Sequence, residues 1–197
     1  MHLTICCRVE RFKTSLQFVL LPYGSFFEIL DALKVADYAL LLLSSRVEVD
    51  GWGDTLLRTM QAQGIPSAVT VISPSSSIVE AHSAKEQTAV LKSLLSFIKY
   101  FIPSQGRVYD LESNSNTSDP TNVARALCEG KPADVRWRED RPYMLVEESE
   151  WIDNDDSSLG NLRVTGVLRG APITANRLVH LPGFGDFKLS MVSCWVP

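Results

Sequence analysis

Positive charge is in short supply in this chain. Lysine and arginine total 19 against 23 aspartates and glutamates, for a formal net charge of -4. A domain that grips nucleic acid chiefly through its own charge is usually basic, so net charge does not make this chain a nucleic-acid binder. Cysteine is scarce as well. Cys6 and Cys7 are adjacent, Cys128 and Cys194 are distant, and no CxxC pair occurs. That spacing excludes the common zinc modules and a secreted disulfide framework, and it fits a reducing compartment. Long apolar runs are missing. The longest, "YALLLLSS", is far too short to span a bilayer, and "MHLTICCRVERF" has no cleavage signature of a signal peptide. No membrane partner is expected. The three histidines, His2, His82 and His180, are scattered, and no Ser/His/Asp set is readable, so no catalytic residue and no small-molecule substrate is assigned. No GxxxxGK[ST] phosphate loop occurs anywhere.

What is present is an ordinary core-forming composition: 45% hydrophobic and 21% charged residues over 197 positions. Four runs read as buried strands, "LQFVLL" (16–21), "YALLLL" (38–43), "AVTVI" (68–72) and "RVYDL" (107–111). Two of them are apolar without alternation, as expected where helices cover both faces of a sheet. Helical patterns lie between them. Phe26, Phe27, Leu30 and Leu33 recur at helical spacing after Gly24. A second helix is expected from about Trp52 to Gln63, with Gly64 closing it in a left-handed conformation and Pro66 preventing continuation. Val90, Leu91, Leu94, Leu95, Ile98 and Phe101 form one apolar stripe. In "SDPTNVARALCEG", Ser118 or Asp119 can cap a fourth helix and Pro120 suits its first position. The alternation predicts an α/β domain with a mainly parallel sheet.

After Gly130 the helical stripes stop, and short β-type segments alternate with Gly, Pro, Asn and Asp turns, the pattern of a small barrel or sandwich. Two domains follow, 1–130 α/β and 131–197 β-barrel. "RWREDRPY" sets Arg136, Arg138 and Arg141 around Trp137, with Tyr143 close by. These five residues are candidates for rRNA contact by charge and stacking, or for a clamp where the two domains meet, with the arginines paired to Glu139 and Asp140. The acidic run Glu147, Glu148, Glu150, Asp153, Asp155 and Asp156 matches no calcium loop and reads as a solvated hairpin loop. "GFGD" (183–186) has no helical pattern after it and reads as a tight barrel turn. No metal site is assigned.

"VTVISPSS" (69–76) raises a sharper question, because some nucleotide-binding folds keep a guanine-reading Asn-Lys-x-Asp at such a place. Here Ser73 replaces Asn, Pro74 replaces Lys and Ser76 replaces Asp. Pro74 has no side-chain donor, and Ser76 lacks the carboxylate that discriminates guanine. The Asp-x-x-Gly that reaches magnesium and the terminal phosphate reads "LPYG", with Leu21 in place of Asp and only Gly24 retained. Every charged element of phosphate and base recognition is gone, so no cofactor is expected at these degenerate positions.

"RVERFKTSLQFVLLPYGSFFEILDALKVADYALLLLSS", "GWGDTLLRTMQAQGIPSAVTVI" and "LCEGKPADVRWREDRPYMLVEESEW" together resemble ribosome-assembly factors of the twenty-S rRNA accumulation family, relatives of the BMS-type ribosome-biogenesis GTPases. The tail "LRVTGVLRGAPITANRLVHLPGFGDFKLSMV" is similar to that family's second domain, a barrel akin to the one following the G domain of translational GTPases. The resemblance implies an incomplete translational-GTPase-like domain whose nucleotide motifs are lost. It implies a nuclear and nucleolar factor, able to shuttle to the cytoplasm, with the pre-ribosomal small subunit, its rRNA and its ribosomal proteins, as partner. It also implies a non-enzymatic role, in which the factor occupies a translational GTPase's position and blocks premature entry of translation factors. By the same resemblance, a strand and phosphate-loop region are expected before this start and further domains after this end. "LQFVLL" and "YALLLL" would then lack a shared central neighbour, while "HLTICCRVE" could pair antiparallel with "LQFVLL". The alternative is a GTPase whose phosphate loop lies upstream.

Overall fold

A computed structural model describes residues 3–73, 84–111, 119–132, 135, 140–153 and 160–194. The chain divides into two compact units, Met1–Val135 and Arg136–Pro197.

The first unit opens with a hairpin. Strand β1 (Leu3–Val9) runs antiparallel to β2 (Thr14–Leu20), in register from Leu3 opposite Leu20 to Val9 opposite Thr14. A single 3-10 turn, Glu10–Phe12, joins them, and Lys13 leaves it at φ 52° with its N–H bonded to the Glu10 carbonyl. Helix α1 (Phe26–Val35), strand β3 (Tyr38–Leu43), helix α2 (Gly51–Gln63), strand β4 (Ser67–Ile72), helix α3 (Ala84–Phe101), strand β5 (Val108–Asp110) and helix α4 (Asp119–Glu129) follow. Strands β3, β4 and β5 form a parallel sheet in that order, with β4 in the middle. The hairpin is a separate sheet. Among the described residues β2 pairs only with β1, and β3 only with β4.

Side-chain patterning explains where the core sits. Leu30 and Leu33 of α1, Leu57 and Met60 of α2, and Ile98 and Phe101 of α3 are buried together with Ala39 of β3 and with Ile102. In β4, Val69, Thr70, Val71 and Ile72 are all buried. Neighbouring strand residues point to opposite faces, so four consecutive buried positions mean that both faces are covered. Helix α4 packs on β4 and β5. The α3 stripe lies inward as its spacing predicts, with every member buried or half-buried.

Three local expectations need correction. Phe27 does not share the inward stripe of α1; it is 77% exposed. At roughly 100° per residue it lies a quarter turn beyond Phe26, off the face that Leu30 and Leu33 define. Gly64 ends α2 at φ 96°, ψ 113°, a positive φ outside the left-handed helical region, and its N–H bonds the Met60 and Gln61 carbonyls. The Asp119 carboxylate serves β5: one oxygen accepts from the Asp110 N–H at 2.9 Å, and the other takes the Arg107 guanidinium. Ser118 lies outside the described residues.

In the second unit β6 (Pro142–Asp153) pairs antiparallel with β7 (Gly160–Gly170), and β8 (Leu178–Leu181) with β9 (Gly185–Lys188). The barrel expected here is not closed; the described residues form two separate two-stranded sheets. A barrel needs each strand paired on both sides, and each of these four has one neighbour. The register of β6 and β7 shifts between Val146 and Glu148, and Gly166 lies opposite Val146. A Cβ at Gly166 would fall 1.9 Å from the Leu145 carbonyl oxygen, so only glycine fits there. "GFGD" is the β8–β9 turn, with Gly183 at φ 83° and Gly185 at φ 104°. Glu147, Glu148, Glu150 and Asp153 belong to β6 itself, not to a hairpin loop, and Glu150 pairs across the ladder with Arg163 at 2.9 Å. Asp155 and Asp156 lie outside the described residues.

Burial sets the expected effect of three substitutions. The Thr70 hydroxyl is fully buried without a hydrogen-bond partner, so Thr70→Val is expected to raise unfolding free energy by about 1 kcal/mol in urea titration. Within the apolar strand-and-helix pattern, Ile98→Ala is expected to cost about 2–5 kcal/mol. Leu42 is 66% exposed, and Leu42→Ala should stay within about 0.5 kcal/mol of the parent.

Candidate functional site

Parallel α/β sheets present ligands at the carboxyl ends of their strands. In the first unit the loops after the parallel strands β3 and β4, and the loop after the hairpin strand β2, are tied down by local bonds. After β2, the Ser25 N–H donates to the Pro22 carbonyl at 3.2 Å and the Phe26 N–H to that of Gly24 at 2.9 Å. Gly24 holds φ 99°, which a side chain would strain. After β3, the Ser44 hydroxyl accepts from the N–H groups of Arg46 and Val47, both at 3.1 Å. The Ser73 N–H, at the end of β4, donates to the Leu43 carbonyl at 3.0 Å.

The loops after β2 and β3 meet at one side-chain cluster. Asp50 is the N-cap of α2, and its Oδ1 accepts the Gly53 N–H at 2.8 Å. The same oxygen accepts the Tyr23 hydroxyl at 2.6 Å. The Tyr23 ring lies 4.2 Å from that of Trp52, tilted by 53°, and Trp52 in turn meets Phe26 at 6.4 Å. The loop that begins at Leu21 is therefore pinned to the start of α2 by a phenol–carboxylate bond and a tilted ring contact. The bond shifts both groups. The Asp50 carboxylate, held by the Tyr23 hydroxyl and the Gly53 amide, titrates below its usual range. The Tyr23 phenol, bonded to that carboxylate, titrates above its ordinary 10.0.

The degenerate positions are divided by this geometry. Leu21 is half-buried and offers an aliphatic side chain; Gly24 and Ser73 are exposed. Pro74 and Ser76 lie outside the described residues, as do Arg136, Trp137 and Arg138. Arg141 and Tyr143 stand at the start of the β6–β7 ladder, where the Ala171 N–H donates to the Arg141 carbonyl at 3.3 Å and Tyr143 faces Arg169. No group of three or more His, Cys, Asp or Glu side chains that could hold a metal occurs among the described residues. His180 pairs with Asp186 at 2.8 Å on the exposed β8–β9 hairpin.

Sequence reasoning missed Tyr23, Asp50 and Trp52. One signal was available for Asp50, because an aspartate just before a helical pattern reads as an N-cap. None could have paired it with a tyrosine 27 residues away.

This is a GTPase-like α/β domain in which the loop after β2 is held to α2 by an aromatic latch. Residues 2–129 match the family model described as Tsr1, G-like domain, and residues 131–195 match the AARP2CN (NUC121) domain. The chain belongs to the Tsr1 family. It is 40% identical over 184 residues to the ribosome biogenesis protein tsr1 of Schizosaccharomyces pombe, covering 93% of this chain and 22% of that protein. The pre-rRNA-processing protein TSR1 homolog of Drosophila melanogaster is 35% identical over 192 residues, covering 93% of this chain and 23% of that protein. The human pre-rRNA-processing protein TSR1 homolog is 26% identical over 170 residues, covering 86% and 20%. The chain thus spans about a fifth to a quarter of the length of these relatives.

The latch predicts a two-sided pH dependence. With its folded pKa lowered, Asp50 stabilises the fold above the ordinary carboxylate range, and that contribution is lost as pH falls through the folded value. With its folded pKa raised, Tyr23 stabilises the fold below about 10, and that contribution is lost as pH rises through the folded value. Tyr23→Phe should flatten both limbs of a Tm-against-pH curve. Limbs that superimpose on those of the parent would show that the latch carries no stability.

Proposed function

We propose that this chain acts within a non-catalytic ribosome-biogenesis factor for the small subunit, as a GTPase-like element that neither binds nor turns over nucleotide. The relatives' printed names, a ribosome biogenesis protein and pre-rRNA-processing proteins, support the setting. One observation in the fold supports the nucleotide-free reading. The loop that would have to respond to a terminal phosphate starts with the aliphatic Leu21 and is held to α2 by the Tyr23–Asp50 bond. A switch must have two arrangements whose balance a ligand changes. A loop already satisfied by a hydrogen bond, a ring contact and two turn bonds has little to gain from a phosphate.

In this reading the chain contributes shape. Its carrier occupies a translational-GTPase position on the immature small subunit and keeps translation factors away. The second unit plays the part of the β-domain that follows a G domain. The twenty-S rRNA accumulation phenotype, kinship to the BMS-type GTPases, and nucleolar and nuclear residence all belong to this proposal.

Calorimetry with GTP and GDP in the presence of magnesium is expected to show no saturable heat. Micromolar, magnesium-dependent binding would overturn the nucleotide-free reading. For the same reading, the change corresponding to Leu21→Asp in the full-length S. pombe relative provides a second test: growth and rRNA processing are expected to match the parent, and a defect tied to nucleotide binding would overturn it.

A further inference from the structure

The polar side of α1 carries a phenylalanine that the fold does not use. Phe27 is 77% exposed and Tyr23 is 72% exposed, the largest aromatic exposures in the first unit. They are parts of one array. Phe27 meets Phe26 edge-on at 5.5 Å, Phe26 meets Trp52 at 6.4 Å, and Trp52 meets Tyr23 at 4.2 Å. The inner members, Phe26 and Trp52, are half-buried and support the outer two. Exposed aromatic residues backed by packed aromatics are characteristic of contact surfaces.

Charge around the array selects the partner. The segments that carry it, residues 22–34 and 44–54, hold five carboxylates, Glu28, Asp31, Glu48, Asp50 and Asp54, and two cations, Lys34 and Arg46. Lys34 is engaged by Asp31 at 2.6 Å. Asp54 is neutralised from outside the segments, by Arg58 at 2.6 Å. Asp50 touches the array directly, and the groups that hold it as an anion, the Tyr23 hydroxyl and backbone N–H groups, are all neutral. No cation among the described residues pairs with it, and the partial positive charge of the α2 N-terminus offsets it only in part. An aromatic face beside a partly offset carboxylate attracts a cation twice, through the ring quadrupole and through the charge. The same carboxylates repel a phosphate backbone.

We propose that the Tyr23–Trp52–Phe27 surface docks a basic polypeptide segment, with an arginine or lysine side chain against Tyr23 and Asp50 and an apolar side chain on Phe27. The surface works with or without the nucleotide-free reading, since neither Phe27 nor Asp50 belongs to the degenerate positions. Arginine suits it best, because its planar guanidinium both stacks on a ring and pairs with a carboxylate.

The test titrates the purified chain with a short alternating arginine–leucine peptide, following Trp fluorescence and, in parallel, calorimetry. A glutamate–leucine peptide and a single-stranded oligouridylate serve as the competing probes. Saturable binding of the arginine–leucine peptide alone is expected. Phe27→Ser and Asp50→Asn should each weaken it about tenfold. Asn retains a side-chain acceptor for the α2 cap, and Phe27 is exposed, so both variants keep the fold; circular dichroism melting checks this. Tyr23→Phe, which keeps the ring, should weaken binding less than Tyr23→Ala. Absence of saturable peptide binding, affinity unchanged in both Phe27→Ser and Asp50→Asn, or preference for the oligouridylate would each overturn the proposal.

Discussion

The first unit depends on the burial of β4 from both sides. It is the middle strand of the parallel sheet, and four consecutive residues from Val69 to Ile72 are buried. A strand can be apolar on both faces only if a layer covers each one. That requirement places α1, α2 and α3 around a shared core and sets α4 against β4 and β5. Thr70 shows how strict it is: its hydroxyl is fully buried without a partner, a cost tolerated because its shape matches valine. The carboxyl end of β4 is then fixed, and the Ser73-to-Leu43 bond fixes the end of β3 with it.

With that end rigid, the loops there are free to be specialised, and they are specialised for closure. Ser44 caps its own turn, Asp50 caps α2, and Tyr23 crosses from the preceding loop to the same carboxylate oxygen. In a nucleotide-driven domain this region exchanges bonds with a phosphate. Here Tyr23, Asp50 and the loop amides bond each other, and the exposed side chains include the aromatic Tyr23 and Phe27. A loop held by a hydrogen bond and a ring contact can present an ordered aromatic array, and ordered anchors lose little entropy on binding.

Much of the first unit was legible because its signals repeat. The α3 stripe from Val90 to Phe101 spans several turns, and the unbroken apolar runs at 38–43 and 68–72 declare strands of a covered sheet. Misjudgements came where one residue had to be assigned from composition alone. Phe27 looks like core because Phe26 does, yet adjacent residues on a helix cannot share a face. Leu40 and Leu42 read as buried beside Leu41 and Leu43, but on an edge strand only one face is packed, and both are exposed. Asp119 stands where a cap is expected, but its carboxylate bonds Arg107 and Asp110, residues whose approach depends on β5 lying beside α4. The Tyr23–Asp50 contact is of the same tertiary kind and left no local trace.

The second unit obeys a different constraint. None of its described residues is buried. Along β6, Met144 and Val146 are exposed while Tyr143 and Leu145 on the opposite face are half-buried, so the ribbon is apolar on both sides. Trp151 lies close against Gly160, where a Cβ would fall 2.4 Å from the indole. A two-stranded ribbon is marginal in water by itself, and charge pairs such as Glu150–Arg163 on its surface add little. Alternating half-buried and exposed apolar positions, a bulge that sharpens the twist at Val146 and Glu148, and an obligatory glycine at 166 are the devices of a curved sheet meant to pack in layers. The turn chemistry of this half is thus written for a layered β structure even though its described strands form two separate ribbons, which is why the sequence pattern points to a barrel that the strand pairings do not close.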